Sequence, residues 1–484
     1  MPSDRRFHPL TIVFALGGEL RNFLLPAVFA TITASEGNGA ERFFLVFLVP
    51  GAVMAVARYF FSTYRYDATE LVVRTGVIFK NERHIPFARI QSVDAVQNVL
   101  HRFCGVVDVR VQTGTTGQAE ATLSVLPFEA LDEMRQHVFH DRAVAAQAPI
   151  DDDGTASVPS PLESMPEGVT LLRLSLRDRA LAGLLDNRGW VVIGAAWGLA
   201  FESGVLDRVE ELDIASWPAY ASILVGLFVM APVLSMGWAI IRLHDFHLTL
   251  RAGDLRTEFG ALTRVTATIP LGRVQALKVH RGPGHVWTGR ASVRVETAGG
   301  TASGRASSER EWVAPIITLA SLPAFVAAVL PNADLTTLTW MDVDARAFRR
   351  RRVVALVTSA LIGVIAAPWL GALWSMGLTG AVAVLCLAHG HLYVASLGWA
   401  KTDRVVAFKS GWFHRSLLIV PLAKIQAVEL DESPFDRRHH MASLSVDTAG
   451  AGGHTIDIPY LSRAVAEDAR VSLAHEAAAT VFRW

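Results

Sequence analysis

Nine residues recur three times along this chain, and no other feature constrains its fold as strongly. They are Ile85-Pro86-Phe87-Ala88-Arg89-Ile90-Gln91-Ser92-Val93, Ile269-Pro270-Leu271-Gly272-Arg273-Val274-Gln275-Ala276-Leu277 and Val420-Pro421-Leu422-Ala423-Lys424-Ile425-Gln426-Ala427-Val428. The shared pattern is apolar, Pro, apolar, small, basic, β-branched, Gln, small, apolar. A Gly stands ten positions before each Pro (Gly76, Gly260, Gly411), and a Thr stands twenty-two after each Gln (Thr113, Thr297, Thr448). Gly76–Thr113, Gly260–Thr297 and Gly411–Thr448 therefore align without a gap. Such repetition marks one supersecondary unit used three times, so the fold must be built from that unit.

Each copy reads as β structure closed by a helix. Short β-branched runs flank Gly76, the pattern of a hairpin, and Pro86 is expected to open the strand that follows. Val107, Val109 and Val111 alternate with Asp108, Arg110 and Gln112, the period of a half-buried strand. Pro127-Phe128-Glu129 then introduces a helical spacing of Leu131, Met134 and Val138. The same order follows in the other two copies.

Between the copies lie apolar runs. Mean hydropathy is +0.33, net charge is zero and 19% of residues are charged, against about 25% in soluble domains. Trp217–Ile241 and Val353–Ser396 carry no charged residue. A membrane span needs about 20 apolar residues, so the second run has room for two spans with a turn around Trp374-Ser375-Met376-Gly377. Phe43–Phe61, Leu10–Ala34 and Gly189–Leu206 complete three pairs. The expected architecture is a multi-pass α-helical membrane protein with α+β soluble modules. Three transmembrane hairpins (7–64, 171–244 and 342–398) each precede a module (65–142, 245–332 and 399–484), and 143–170 is a disordered linker. Arginines precede the second and third hairpins, and acids (Glu202, Asp207, Glu210, Glu211, Asp213) fill the turn of the second. By the positive-inside rule this places the modules and both termini in the cytoplasm, at the cell membrane.

The repeated Pro-apolar-small-Arg/Lys-Ile/Val-Gln core resembles the signature of the bacterial PH-like domain found in membrane proteins of the YdbS/YdbT type. The first copy matches best, continuing through Leu100-His101-Arg102-Phe103-Cys104-Gly105; in the other copies the Gly105 position becomes Gly289 and Met441. The resemblance covers nearly the whole chain. It implies a pleckstrin-homology-like antiparallel β module with a C-terminal helix, and carries no settled activity.

Within the repeat, the candidate positions are Pro86, Arg89, Gln91, Pro270, Arg273, Gln275, Pro421, Lys424 and Gln426. A basic residue near a membrane suits a lipid phosphate. A Gln amide suits backbone groups left unpaired where Pro interrupts a ladder, and this reading explains why Gln is the fixed residue. The divergent loops offer a second set for a ligand or partner: His101, Arg102, Arg281, His285, Arg437, Arg438 and His439. Adjacent His439-His440 lacks metal-site spacing, and Cys104 and Cys386 suggest no disulfide. The chain lacks Gly-x-Ser-x-Gly, His-Glu-x-x-His and phosphate-loop patterns. The expectation is a non-enzyme with no cofactor, which binds or scaffolds at the membrane. Its partners would be the bilayer and another membrane protein, a peptide or anionic lipid, with oligomeric state left open. The balanced charge argues against nucleic acid. A transport or envelope-export component, marked by Glu19 and Arg21 near a span, is the alternative.

Overall fold

The computed structural model describes residues 5–14, 53–113, 119–134, 168–198, 217–298, 312–450 and 456–479, with short gaps inside these ranges. The chain divides into two compact units, Met1–Thr268 and Ile269–Trp484.

Unit one holds the first module. Its strands are β1 (Arg5–Arg6), β2 (Thr63–Tyr66), β3 (Glu70–Thr75), β4 (Asn81–Pro86), β5 (Ile90–Asn98), β6 (Val106–Thr113) and β7 (Ala119–Pro127), with a one-turn helix α1 (Val99–Phe103) between β5 and β6. Strands β1 to β4 form one antiparallel sheet in sequence order, and β5 to β7 belong to another. One core fills the module: Tyr64, Leu71, Val73 and Ile85 come from the first sheet, Ile90, Val107, Val109, Val111 and Leu126 from the second, with Met134 from beyond β7. The three valines of β6 share the inward face because side chains alternate along a strand. Phe7 is buried in this core, and Arg5 pairs in register with Tyr64. Residues 5–7 are thus part of the module, and Phe7 does not begin a membrane arm.

Next come β8 (Val169–Arg173), helices α2 (Leu176–Asp186) and α3 (Trp217–Arg242), then β9 (His247–Arg251), β10 (Asp254–Phe259) and β11 (Thr263–Pro270). Strand β8 pairs with β9 and starts inside the stretch expected to be linker; 143–167 lie outside the described residues. The four strands extend the sheet of β5 to β7, giving the order β7-β6-β5-β11-β10-β9-β8. Ala231, Ser235 and Ala239, spaced one turn apart, are buried on α3, and the Ser235 hydroxyl donates to Gly183 O of α2. Small residues let the two helix backbones come this close.

Unit two holds β12 (Val274–Arg281), α4 (Pro283–Trp287), β13 (Arg290–Thr297), β14 (Trp312–Thr318) and α5 (Leu322–Val329). These are followed by α6 (Arg346–Ser396), β15 (Gly398–Lys401), β16 (Val405–Ser410), β17 (Arg415–Pro421), β18 (Ile425–Asp431), α7 (Pro434–His439), β19 (Met441–Thr448), β20 (Ile456–Ser462) and α8 (Arg463–Ala479). Strands β14-β13-β12-β17-β16-β15 make a six-stranded sheet and β18-β19-β20 a three-stranded one. Val406, Val420, Leu444, Val446, Ile456 and Ile458 from the two sheets share a core with Ala466, Ala469 and Leu473 of α8.

The expected multi-pass architecture with three transmembrane hairpins is not what the structure shows. Among the described residues one helix, α6, is long and apolar enough to cross a membrane, and four antiparallel sheets dominate the chain. The proposed first pair lies largely outside the described residues, and Phe228–Arg242 is too short to qualify. Within α6 the chain breaks at Gly371 (φ 74°, ψ 164°), ahead of the expected turn at 374–377. Its two arms then run alongside each other, with Gly363 against Thr379 and Gly390 against Arg351. The break falls at the glycine because only a residue without Cβ holds that backbone conformation cheaply.

The three repeat glycines share one geometry. Gly76, Gly260 and Gly411 have φ of 113°, 115° and 86°, and each sits in the turn before a repeat strand (β4, β11, β17). A Cβ on Gly260 would collide with Thr263 O. Gly260→Ala is expected to destabilise the protein by about 1–3 kcal/mol, measured as a lowered denaturation midpoint of detergent-solubilised protein. An unchanged midpoint would refute the role given to this turn.

Candidate functional site

The repeated nonapeptide is a corner. Pro86, Pro270 and Pro421 are the last residues of β4, β11 and β17, so Pro86 closes a strand and does not open one. Pro270 and Pro421 adopt φ of −61° and −65°, the value their ring imposes, and the missing N–H costs nothing at a strand end. A single 3-10 turn follows in copies two and three (Leu271–Arg273, Leu422–Lys424). The chain then enters the next strand. There Ile90 pairs with Thr113 and Ser92 with Gln112. Val274 pairs with Thr297 and Ala276 with Glu296. Ile425 pairs with Thr448 and Ala427 with Asp447. Gln91, Gln275 and Gln426 are therefore the extra residues of three identical β-bulges, and Thr113, Thr297 and Thr448 face the residue that precedes each bulge.

Three side chains of the corner serve backbone, while Gln426 is exposed. Gln275 is 4% exposed and donates to Arg273 O at 3.4 Å. Arg273 donates to Ala298 O, and Lys424 Nζ to Gly272 O at 2.6 Å. The side chains of Arg89 and Gln91 lie outside the described residues.

The divergent loops all fold as the same element, a one-turn helix between the strand that follows the corner and the next strand (α1, α4, α7). Each ends in a left-handed residue: Gly105 (φ 68°), Gly289 (φ 65°) and His440 (φ 55°). The third member of that set is thus His440, one position before the Met441 read from sequence. The candidate residues separate on these helices. His101 is 4% exposed, stacks on Phe14 at 4.0 Å and bonds Asn98 through Nδ1. Its ring is committed to packing. Arg102 donates to Ala261 O at 3.1 Å. Arg281 and His285 sit with His280 and His414, whose rings stack at 5.8 Å. Phe103 and Trp287, 93% and 85% exposed, occupy equivalent places in α1 and α4.

Among the described residues, α7 meets the basic opening of α6. The arginine run opening α6 divides by helical spacing. Arg350 turns inward to an ion pair with Asp436 and lies over Phe435 at 5.2 Å and Tyr460 at 5.3 Å. Arg351 lies over Tyr393 at 4.5 Å. Asp436 caps α7 through a reciprocal box with Ser433, which holds the carboxylate where Arg350 meets it. Arg346, Arg349 and Arg352, three residues apart, take the other face. With Phe435, Arg438, His439 and His440 they line an open cleft of about 480 Å³. Arg346 donates to His439 O at 2.8 Å and has Asp344 beside it at 3.8 Å. The lining itself contains no carboxylate. Ala347, Val394 and Met441 form the small core beneath, fixing the head of α6 on the module.

Sequence reasoning singled out Arg437, Arg438 and His439 but used the α6 arginines only as a topology signal. The spacing of Arg346, Arg349 and Arg352 along one helix face was the available clue. Arg437 is exposed and does not line the cleft.

The two-sheet modules with a closing helix, the repeated corner and the comparisons agree. The chain belongs to the bacterial PH domain family, whose model matches residues 13–142, 202–330 and 335–477. It is also similar to the UPF0699 transmembrane protein YdbT of Bacillus subtilis (strain 168), 21% identical over 474 residues and covering 92% of each chain. No solved structure matches.

The histidine group near α4 gives a pH dependence. Burial, then the charges of His280 and Arg281, pushes His285 down to about 4 from 6.5. Burial, then His414, lowers His280. A depressed histidine favours the unfolded state once that state binds protons. Stability is therefore complete above pH 6.5 and falls as pH drops from there towards 4. Thermal midpoints across this window should decline in the native protein and decline less in His285→Gln.

Proposed function

We propose that this protein is a membrane-anchored, non-catalytic binding protein whose third module takes the phosphate of an anionic lipid headgroup in the cleft between α6 and α7. The observation that carries the reading is the position of that cleft. Three arginines of α6 and Arg438 converge where the helix leaves its module, and beyond them α6 exposes Val353, Val354, Leu356, Val357, Leu361, Val364 and Ile365. An apolar face of this extent favours hydrocarbon, and a guanidinium cluster at its head suits phosphate oxygens at the interface. The similarity to a protein named as transmembrane supports the anchoring. The arginines at the start of α6 support a cytoplasmic position for the module.

The test uses full-length protein in nanodiscs, with retained lipid read by native mass spectrometry. Phosphatidylglycerol should be retained over phosphatidylcholine, and soluble glycerol phosphate should displace it poorly. A charge-assisted hydrogen bond contributes about 1.5–3 kcal/mol, so Arg349→Gln or Arg438→Gln should lower retention about tenfold. Arg437→Gln, outside the cleft, should not. Equal retention of both lipids by the native chain would sink the reading.

A further inference from the structure

Successive modules are joined by one strand pairing, made twice in the same register. In unit one, β5 pairs with β11: Ala95 with Thr266, Val96 with Val265, Gln97 with Arg264 and Asn98 with Thr263. In unit two, β12 pairs with β17: Val279 with Leu417, His280 with Ser416 and Arg281 with Arg415. Counted from the repeat Gln on one strand and the repeat Pro on the other, these are the same positions. The strand after each corner bonds the strand before the next corner.

The series leaves two unused ends. Strand β18 follows the third corner and is an edge of its sheet; β4 precedes the first corner and is an edge of its own. Among the described residues neither has a ladder partner on its outer side. Unpaired edges of this length template the addition of another strand.

We propose that β18 of one copy of this chain pairs antiparallel with β4 of a second copy, continuing the internal junction head to tail. The register follows from the two internal examples: Val428 opposite His84, Glu429 opposite Arg83, Leu430 opposite Glu82, Asp431 opposite Asn81 and Glu432 opposite Lys80. Charge supports this occupant. The β18 end carries Glu429, Asp431 and Glu432, and the β4 end carries Lys80, Arg83 and His84 against a single acid, Glu82. Two of the five pairs set a carboxylate directly across from a cation. Glu429, Asn81, Glu82, Arg83 and His84 are exposed. Such a contact is heterologous, so it produces rings or open chains rather than an isologous dimer.

Cross-strand Cα atoms lie about 4.5–5.5 Å apart, within disulfide range. In a full-length Cys104→Ser, Cys386→Ser background, Arg83→Cys and Glu429→Cys chains carrying different tags are co-reconstituted and mildly oxidised. A mixed disulfide dimer, well above the self-dimers of either variant, is the expected result. Separately, Glu429→Lys should weaken self-association of the detergent-solubilised protein about fivefold by setting two cations opposite each other, and mixing it with Arg83→Glu should restore association. No mixed dimer above the self-dimer background, or a monomeric mass for the native chain across the concentration range, overturns the proposal. The native mass reads the association even if a variant fails to fold.

Discussion

The structure depends on how the backbone leaves one sheet and enters the next. A strand that ends in proline cannot donate a further ladder bond there, and the turn after it must re-aim the chain within a few residues. The bulge at Gln91, Gln275 or Gln426 follows at once. An extra residue on one strand bends it and increases its local twist, which curves a short sheet around a small core. Gln suits the bulge because its amide can satisfy a nearby carbonyl, as Gln275 does for Arg273 O. The basic residue of the motif is likewise used on backbone, by Arg273 and Lys424. Arg273, Gln275 and Lys424 are thus spent on backbone of the corner.

Because the corner separates the strands before it from the strands after it, each half-module can pair with a neighbour. The result is sheets that run across module boundaries, β5 to β11 and β12 to β17. The elements left to vary are the one-turn helices after the strand that follows each corner. In α1 the histidine is spent on packing, and in α4 burial keeps His285 neutral. In α7 the acid Asp436 draws Arg350 inward, and the remaining α6 arginines meet Arg438 in a cleft. One ion pair thus sorts five arginines into structural and solvent-facing sets.

Two of the expectations that the structure changes have identifiable reasons. Hydropathy counts apolar residues without asking what they pack against, so Phe7 read as membrane when it belongs to a β-sheet core. A loop histidine beside an arginine read as a ligand site, yet Asn98 and Phe14 hold His101 inside. Neither contact is encoded in spacing, because the partners are brought together only when strands pair.

The three-fold repeat, the strand periods, the hairpin at Gly76 and the apolar run of α6 were all legible in the sequence, since each reflects a local requirement: side-chain alternation, a turn at glycine, or a long run without charge. The bulge at Gln was not legible, because a bulge is defined only against a partner strand. Nor were the sharing of sheets between modules and the assembly of the cleft from α6 and α7. These bring together residues nearly a hundred positions apart, such as Arg346 and His439. Local chemistry set what each module is; long-range pairing in the folded chain decided which of three similar loops became a basic site.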